Sequence, residues 1–317
     1  MLTRFGRTIQ TWTSSANPWT NAYGLARTLL ALGTLGTLLF SHSSAVFRPT
    51  TISEHAPTCT AETRWALFCL ASSDHLELLR WLAVILLTLV ASGWRPRWTG
   101  VVHWWVAWSL NSTGTLVDGG DQITAVLTFL LLPVTLTDPR LWHWQAPPQR
   151  VALGSQLIAR SALLVIRLQV AVVYFHAAVS KFAVPEWMDG TAVYYWFTDP
   201  AMGMPPWLQV PITWLVSNPL TVYLITWGTM LLELALAAGL ISVFRYRGTL
   251  LVLGFVFHSC IALVHGLISF ALAMGAALLL FLLPAGHILR IPWRSSKRAD
   301  ALPALPLDRA TNLSGST

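Results

Sequence analysis

The sequence predicts an all-α fold: a polytopic integral membrane bundle of about eight transmembrane helices. Three observations predict it. Only 10% of the 317 residues are charged, where a soluble domain carries about 25%. Hydrophobic residues make up 55% of the chain, and the mean hydropathy is +0.58. The apolar residues also gather in runs of about 20, the length that crosses a bilayer as a helix. With so few charges, most of the surface must face lipid. The same numbers exclude a disordered chain, a fibrous chain and a small disulfide scaffold.

The runs lie near 22–40, 75–92, 101–114, 120–137, 160–182, 219–243, 248–267 and 270–289. The first is long and ends without an A-x-A site, so it reads as a span and not as a cleaved signal. The third is short and degrades into Asn111, Ser112, Thr113 and Gly114, which predicts a tight hairpin with the fourth. Residues 151–159 read as an interfacial lead-in to the fifth run. The segment 183–218 is aromatic and broken by Pro185, Pro200, Pro205, Pro206 and Pro211. It reads as a loop lying on the membrane, anchored by Trp187, Tyr194, Tyr195, Trp196, Trp207 and Trp214. No internal repeat is visible. The expected organisation is an N-terminal segment 1–21, a transmembrane domain 22–290 with outer loops 41–74 and 183–218, and a polar tail 291–317.

Orientation follows from the basic residues. With the N-terminus inside, the cytoplasmic segments hold Arg4, Arg7, Arg95, Arg97, Arg140, Arg150, Arg245, Arg247, Arg290, Arg294, Lys297, Arg298 and Arg309. The outer segments hold only Arg48 and Arg64. This asymmetry is the positive-inside pattern and puts both termini in the cytoplasm of a cell whose plasma membrane the chain crosses. The net charge of +7 is accounted for in this way. No run of five basic residues occurs, so nucleic acid is not an expected partner; the lipid bilayer is. Loop 41–74 then faces the oxidising side with Cys59 and Cys69, which either form a disulfide or stay as two thiols. Cys260 sits mid-run and reads as a small packing residue.

Charges at bilayer depth cost about 2.5–3.5 kcal/mol each, so each needs a partner or a task. The fifth run carries Arg160, Arg167, Tyr174 and Lys181, spaced seven apart. Seven residues are two helical turns less about 20°, so the four form one polar stripe. The sixth run carries one acid, Glu233. Counting residues along two antiparallel helices places Arg167 and Glu233 at similar depth, which predicts a structural ion pair or, alternatively, a reacting pair. Lys181 is the one lysine near the membrane, and lysine is the cation that desolvation can turn into a base. Snorkelling to the interface is the other reading of it. His258 and His265 share a face of the seventh run, as packing histidines or as catalytic partners of Lys181. Asp118, Asp121, Gln122, Tyr174, Glu186 and Trp187 are candidates for a polar vestibule around it. No HExxH or CxxC spacing occurs, so no metal is expected, and no GxSxG, P-loop or dinucleotide fingerprint is present.

These residues resemble a known family. The stretch Tyr174-Phe-His-Ala-Ala-Val-Ser-Lys181-Phe182, then Glu186-Trp187 and Gly190-Thr191-Ala192, resembles the vitamin K-dependent γ-carboxylase-like transmembrane (HTTM) domain. Phe257-His258 with Ser269-Phe270 is similar to another helix of that domain, and Glu233 falls where the family places an acid. The opening Asn17-Pro-Trp-Thr-Asn21 through Gly24, Arg27 and Thr34, and Asp118-Gly-Gly-Asp-Gln-Ile123, resemble the sporulation-delaying protein B branch. The resemblance covers roughly residues 15–290. It implies an outward-facing membrane site with Lys181 as base and a reduced quinone, menaquinol or vitamin K-like, as cofactor. It also implies a secreted precursor peptide and a small maturation partner protein. Ser180 departs from the carboxylases, which have a second lysine there. Three function classes follow: a peptide-modifying membrane enzyme, a non-enzymatic scaffold for a maturation partner, and a transporter using the arginine stripe.

Overall fold

A computed structural model describes residues 2–49 and 56–289. Arg290, Arg294, Lys297, Arg298, Arg309 and the expected tail 291–317 lie outside the described residues, as does part of loop 41–74. Among the described residues the elements are helical throughout. They run α1 (Leu2–Ser14), α2 (Asn21–Phe40), α3 (Ser43–Val46), α4 (Leu76–Ser92), α5 (Pro96–Thr113), α6 (Gly119–Leu136) and α7 (Leu153–Lys181). Then come α8 (Pro185–Met188), α9 (Ala192–Thr198), α10 (Gln209–Val216), α11 (Pro219–Ala237), α12 (Phe244–His265) and α13 (Ile268–Leu282).

Each of the eight expected runs forms a helix, and six of them are long and apolar enough to cross a bilayer: α2, α4, α6, α7, α11 and α12. The other two refine the count. Helix α5 dilutes its apolar residues with Arg97, His103, Asn111 and several hydroxyls. Helix α13 has 15 residues and stops before Pro284, short of the expected 289. It is buried along its length from Ala273 to Leu282, so its neighbours and not lipid surround it. It packs chiefly against α2 and α12, and also touches α6 and α7. The main core gathers Trp19, Leu30, Leu127, Val170, Tyr174 and Leu278 around it.

The helix ends follow local chemistry. Thr20 caps α2, and Pro219 sits at the first turn of α11 behind the Asn218 cap. A reciprocal capping box opens α6. The Asp121 N–H donates to Asp118 at 3.0 Å, and the Asp118 N–H donates back to Asp121 at 3.3 Å. Within the expected lead-in 151–159, residues from Leu153 onward form the first two turns of the 29-residue α7. The N-terminal segment is likewise organised, as α1 lying against α7.

The starts of α2, α5 and α7 and the ends of α4 and α6 meet at one end of the bundle. There Arg27 donates to Thr99 Oγ1 at 2.5 Å. Arg140 grips Asp138 through two bonds of 2.9 and 2.8 Å and donates to the carbonyls of His143 and Gln145. Burial, with Arg27 and Arg140 close by, pushes the His143 imidazole down to about 2, so the ring stays neutral. Gly93 takes φ +89° beneath that ring, where a Cβ would lie 2.3 Å from His143 Nε2. At the other end Cys59 and Cys69 are joined in a disulfide, with Cα atoms 5.8 Å apart. Leu67 and Phe68 beside it plug a second core between α4 and α5. Cys260, expected to pack, instead faces outward from α12.

The 183–218 segment is not a flat loop. It folds as α8, α9 and α10, and α9 packs on α11. The Val193 N–H donates to Thr226 Oγ1 at 3.3 Å, and Gly190, at φ +82°, lies against Tyr223. The first half of α11 therefore carries this cap, and Glu233 in its second half meets Lys181, the last residue of α7. That offset decides which charges meet.

Candidate functional site

The last two turns of α7 carry Tyr174 and Lys181 on one face, as the seven-residue spacing dictates. Lys181 Nζ donates to both carboxylate oxygens of Glu233, each at 2.8 Å, and to the Ala177 carbonyl at 3.0 Å. The pair is largely withdrawn from solvent, the side chains being 19% and 8% exposed. Lys181 Nζ stands over the Trp187 ring, 5.0 Å from its centre. A carboxylate, a carbonyl and an indole face thus surround one ammonium group.

The expected Arg167–Glu233 pair does not form. Glu233 is taken by Lys181, and Arg167 donates to the Leu283 carbonyl instead. The depth count assumed that α11 starts level with the end of α7. The α9 cap shifts α11 outward, so Glu233 arrives beside Ala177 and not beside Arg167.

Two turns from Lys181 along α7, Tyr174 and His258 are hydrogen-bonded, Oη to Nε2, at 2.8 Å. Both are buried, and His258 Nδ1 has no partner. The His258 ring lies against Phe257 and Phe270 at 5.0 and 5.4 Å. Tyr174, His258 and Glu233 line a cavity of about 360 Å³ between α6, α7, α11, α12 and α13. Gln122, Gln169, Phe257 and Phe270 line it too. The site is an apolar chamber with one tyrosine–histidine couple, two amides and the carboxylate of the lysine pair.

Four other expected site residues lie elsewhere. Asp118 and Asp121 are consumed by their capping box, and Asp118 also accepts from Ser269 at 3.1 Å; the neighbouring Gly119 and Gln122 line the cavity in their place. Glu186 is exposed at the start of α8. His265 is drawn into the 183–218 cap, its Nδ1 2.6 Å from the Met202 carbonyl and its ring near Trp196 and Phe197. Asp199 beside it is held below the ordinary carboxylate range by the N–H groups of Met202 and Ala201. Gln169 was not anticipated. Its signal was a lone amide in an apolar run, on a helix whose charges drew attention first.

A family model described as the HTTM domain matches residues 142–285, which span α7 to α13 and hold Lys181, Tyr174, Glu233 and His258. The chain is 41% identical to "Uncharacterized protein YitO" of Bacillus subtilis (strain 168) over 94% of this chain and 98% of that one. It is 38% identical to "Sporulation-delaying protein SdpB" of the same organism over 88% of this chain and 86% of that one. No solved structure matches. The matched span contains the complete lysine–glutamate and tyrosine–histidine constellation, and the relatives align along nearly their whole length: the chain belongs to the HTTM-domain family of membrane proteins, in the branch of sporulation-delaying protein SdpB.

Proposed function

We propose that this membrane protein modifies a secreted precursor peptide at the Lys181 site, working with a small maturation partner protein. The observation that carries the reading is that Glu233, Tyr174 and His258 line one chamber within the bundle and that Glu233 holds Lys181 beside it. Lysine at such a place has a chemical role that arginine lacks, because its amine can release a proton. The 2.8 Å bonds put Glu233 in position to take that proton, which leaves Lys181 a free amine able to act as base on a substrate. Tyr174 and His258 form a second proton-exchanging couple two turns away along α7.

The chamber fits the head of a reduced quinone. Phe257 and Phe270 offer ring faces, Gln122 and Gln169 offer amides, and His258 Nδ1 is a buried polar atom still lacking a partner. Such a group, when bound, would supply reducing equivalents to the site. We infer the orientation from the distribution of arginines: Arg95, Arg97, Arg140, Arg150 and the 245–247 turn mark the cytoplasmic end of a plasma-membrane protein. Lys181 then lies toward the outer end, where a secreted peptide arrives. A reporter fused at residue 205 should read external; a cytoplasmic signal there would reverse this orientation.

The scaffold reading draws on one observation, the two-oxygen grip of Glu233 on Lys181, which also clamps α7 to α11. Mass spectrometry of the mature peptide separates the two. Cells carrying Lys181→Arg at normal protein level should make unmodified peptide, because arginine keeps the clamp but cannot release a proton. Peptide of wild-type mass from that strain would remove the enzymatic reading and favour the scaffold.

A further inference from the structure

At the opposite end of the α7 stripe lies a second, smaller cavity of about 100 Å³, between α1, α2, α7 and α13. Arg160 and Arg167 both line it, and no carboxylate does. Neither arginine forms an ion pair among the described residues. Arg160 uses Nη1 for the carbonyls of Trp12 and Thr13 and for the Ser15 hydroxyl, and its guanidinium lies 4.4 Å from the Trp12 ring. Arg167 uses Nη2 for the Leu283 carbonyl. A guanidinium has five N–H donors, and among the described residues no acceptor is bonded to Nη2 of Arg160 or Nη1 of Arg167. Among the described residues, no acid lines the cavity to balance the two guanidinium groups.

We propose that Arg160 and Arg167 bind a phosphate oxyanion, the headgroup phosphate of an anionic phospholipid entering from the surrounding leaflet. Guanidinium groups pair with phosphate through parallel charge-assisted bonds, and two of them seven residues apart on one helix face present two such forks. The cavity is far below the roughly 300–1,000 Å³ that enclose a whole ligand, so it suits one small polar group carried by a larger molecule. Its rim suits the rest of that molecule. Leu163, Leu164 and Leu283 surround it, and Leu164 is 55% exposed on the lipid-facing side of α7. The cavity shares no lining residue with the chamber, and Arg167 stands about 21 Å along α7 from Lys181, so the site is separate and independent of the peptide-maturation reading.

The test is native mass spectrometry of the purified full chain in a neutral detergent. It is titrated separately with phosphatidylglycerol, with phosphatidylcholine of the same acyl chains, and with inorganic phosphate. The wild type should retain one phosphatidylglycerol, roughly tenfold more tightly than phosphatidylcholine. Arg160→Gln and Arg167→Gln should each weaken that binding by about tenfold, the loss of one charge-assisted contact. Arg167→Lys, which keeps the charge, should lose less. Binding of inorganic phosphate as tight as that of the lipid would keep the oxyanion site but assign it a soluble ligand. Equal retention of both lipids with no phosphate binding would overturn the proposal, on the wild type alone even if a variant fails to fold. A phosphatidylglycerol preference that survives the double Gln variant would overturn it as well.

Discussion

Lys181 and Arg167 stand on the same face of α7, fourteen residues apart, yet only Lys181 meets a carboxylate. Arg167 meets a backbone carbonyl. The helix is the same and the spacing is regular; what differs is the neighbour. At the Lys181 end, α11 delivers Glu233 and the cap delivers Trp187, so the ammonium is balanced within the protein. At the Arg167 end, α13 terminates and offers the carbonyl of Leu283, a dipole and not a charge. A stripe of cations on a membrane helix is therefore two different devices, one closed by the fold and one left open.

The largest expected effect breaks the closed end. Glu233→Gln strands the Lys181 ammonium, and breaking a buried pair this way costs about 3–5 kcal/mol. Thermal unfolding in detergent should show a lower midpoint and a reduced folded yield. Lys181→Met combined with Glu233→Met should recover most of the loss, because an apolar pair of similar volume leaves no stranded charge. A Glu233→Gln protein as stable as wild type would mean that the pair is not closed in the membrane.

A smaller effect is expected at the neighbouring couple. Tyr174→Phe removes the partner of His258 Nε2 and leaves both ring nitrogens of a buried histidine unsatisfied. That costs about 1–3 kcal/mol, measured as a shift of the same midpoint. No shift at all would indicate that a bound group, and not Tyr174, satisfies His258.

The smallest effect sharpens the contrast. A double-mutant cycle between Arg167→Met and Glu233→Gln should return a coupling within about 0.5 kcal/mol of zero, as for separate sites. The cycle between Lys181 and Glu233 should return several times that. A strong Arg167–Glu233 coupling would restore the pairing that residue counting predicted.

Much of the fold was legible because bilayer physics leaves few choices. Apolar runs near 20 residues, separated by arginines, gave all eight helices in order. The stripe was legible because a period of seven is a property of one helix. The site itself was half legible. Tyr174, Lys181, His258, Gln122 and Trp187 do gather around the chamber and the lysine pair, whereas His265, Asp118 and Asp121 are claimed by nearby backbone or caps and Glu186 is exposed. Short-range claims of this kind leave faint sequence signals. Asp118 followed three residues later by Asp121 is a capping pattern before it is a vestibule.

By itself, then, the sequence determined a helical membrane bundle, the order of its spans and the polar face of α7, because each depends on local hydrophobicity and helical periodicity. The partner of each charge was decided only by the tertiary structure. Pairing across helices depends on how far one slides along another, and that offset comes from how residues 183–218 fold onto α11. An α9 cap seated on Thr226 and Tyr223 shifts α11 outward along α7. It thereby gives Glu233 to Lys181 and leaves Arg167 to find its counter-charge elsewhere.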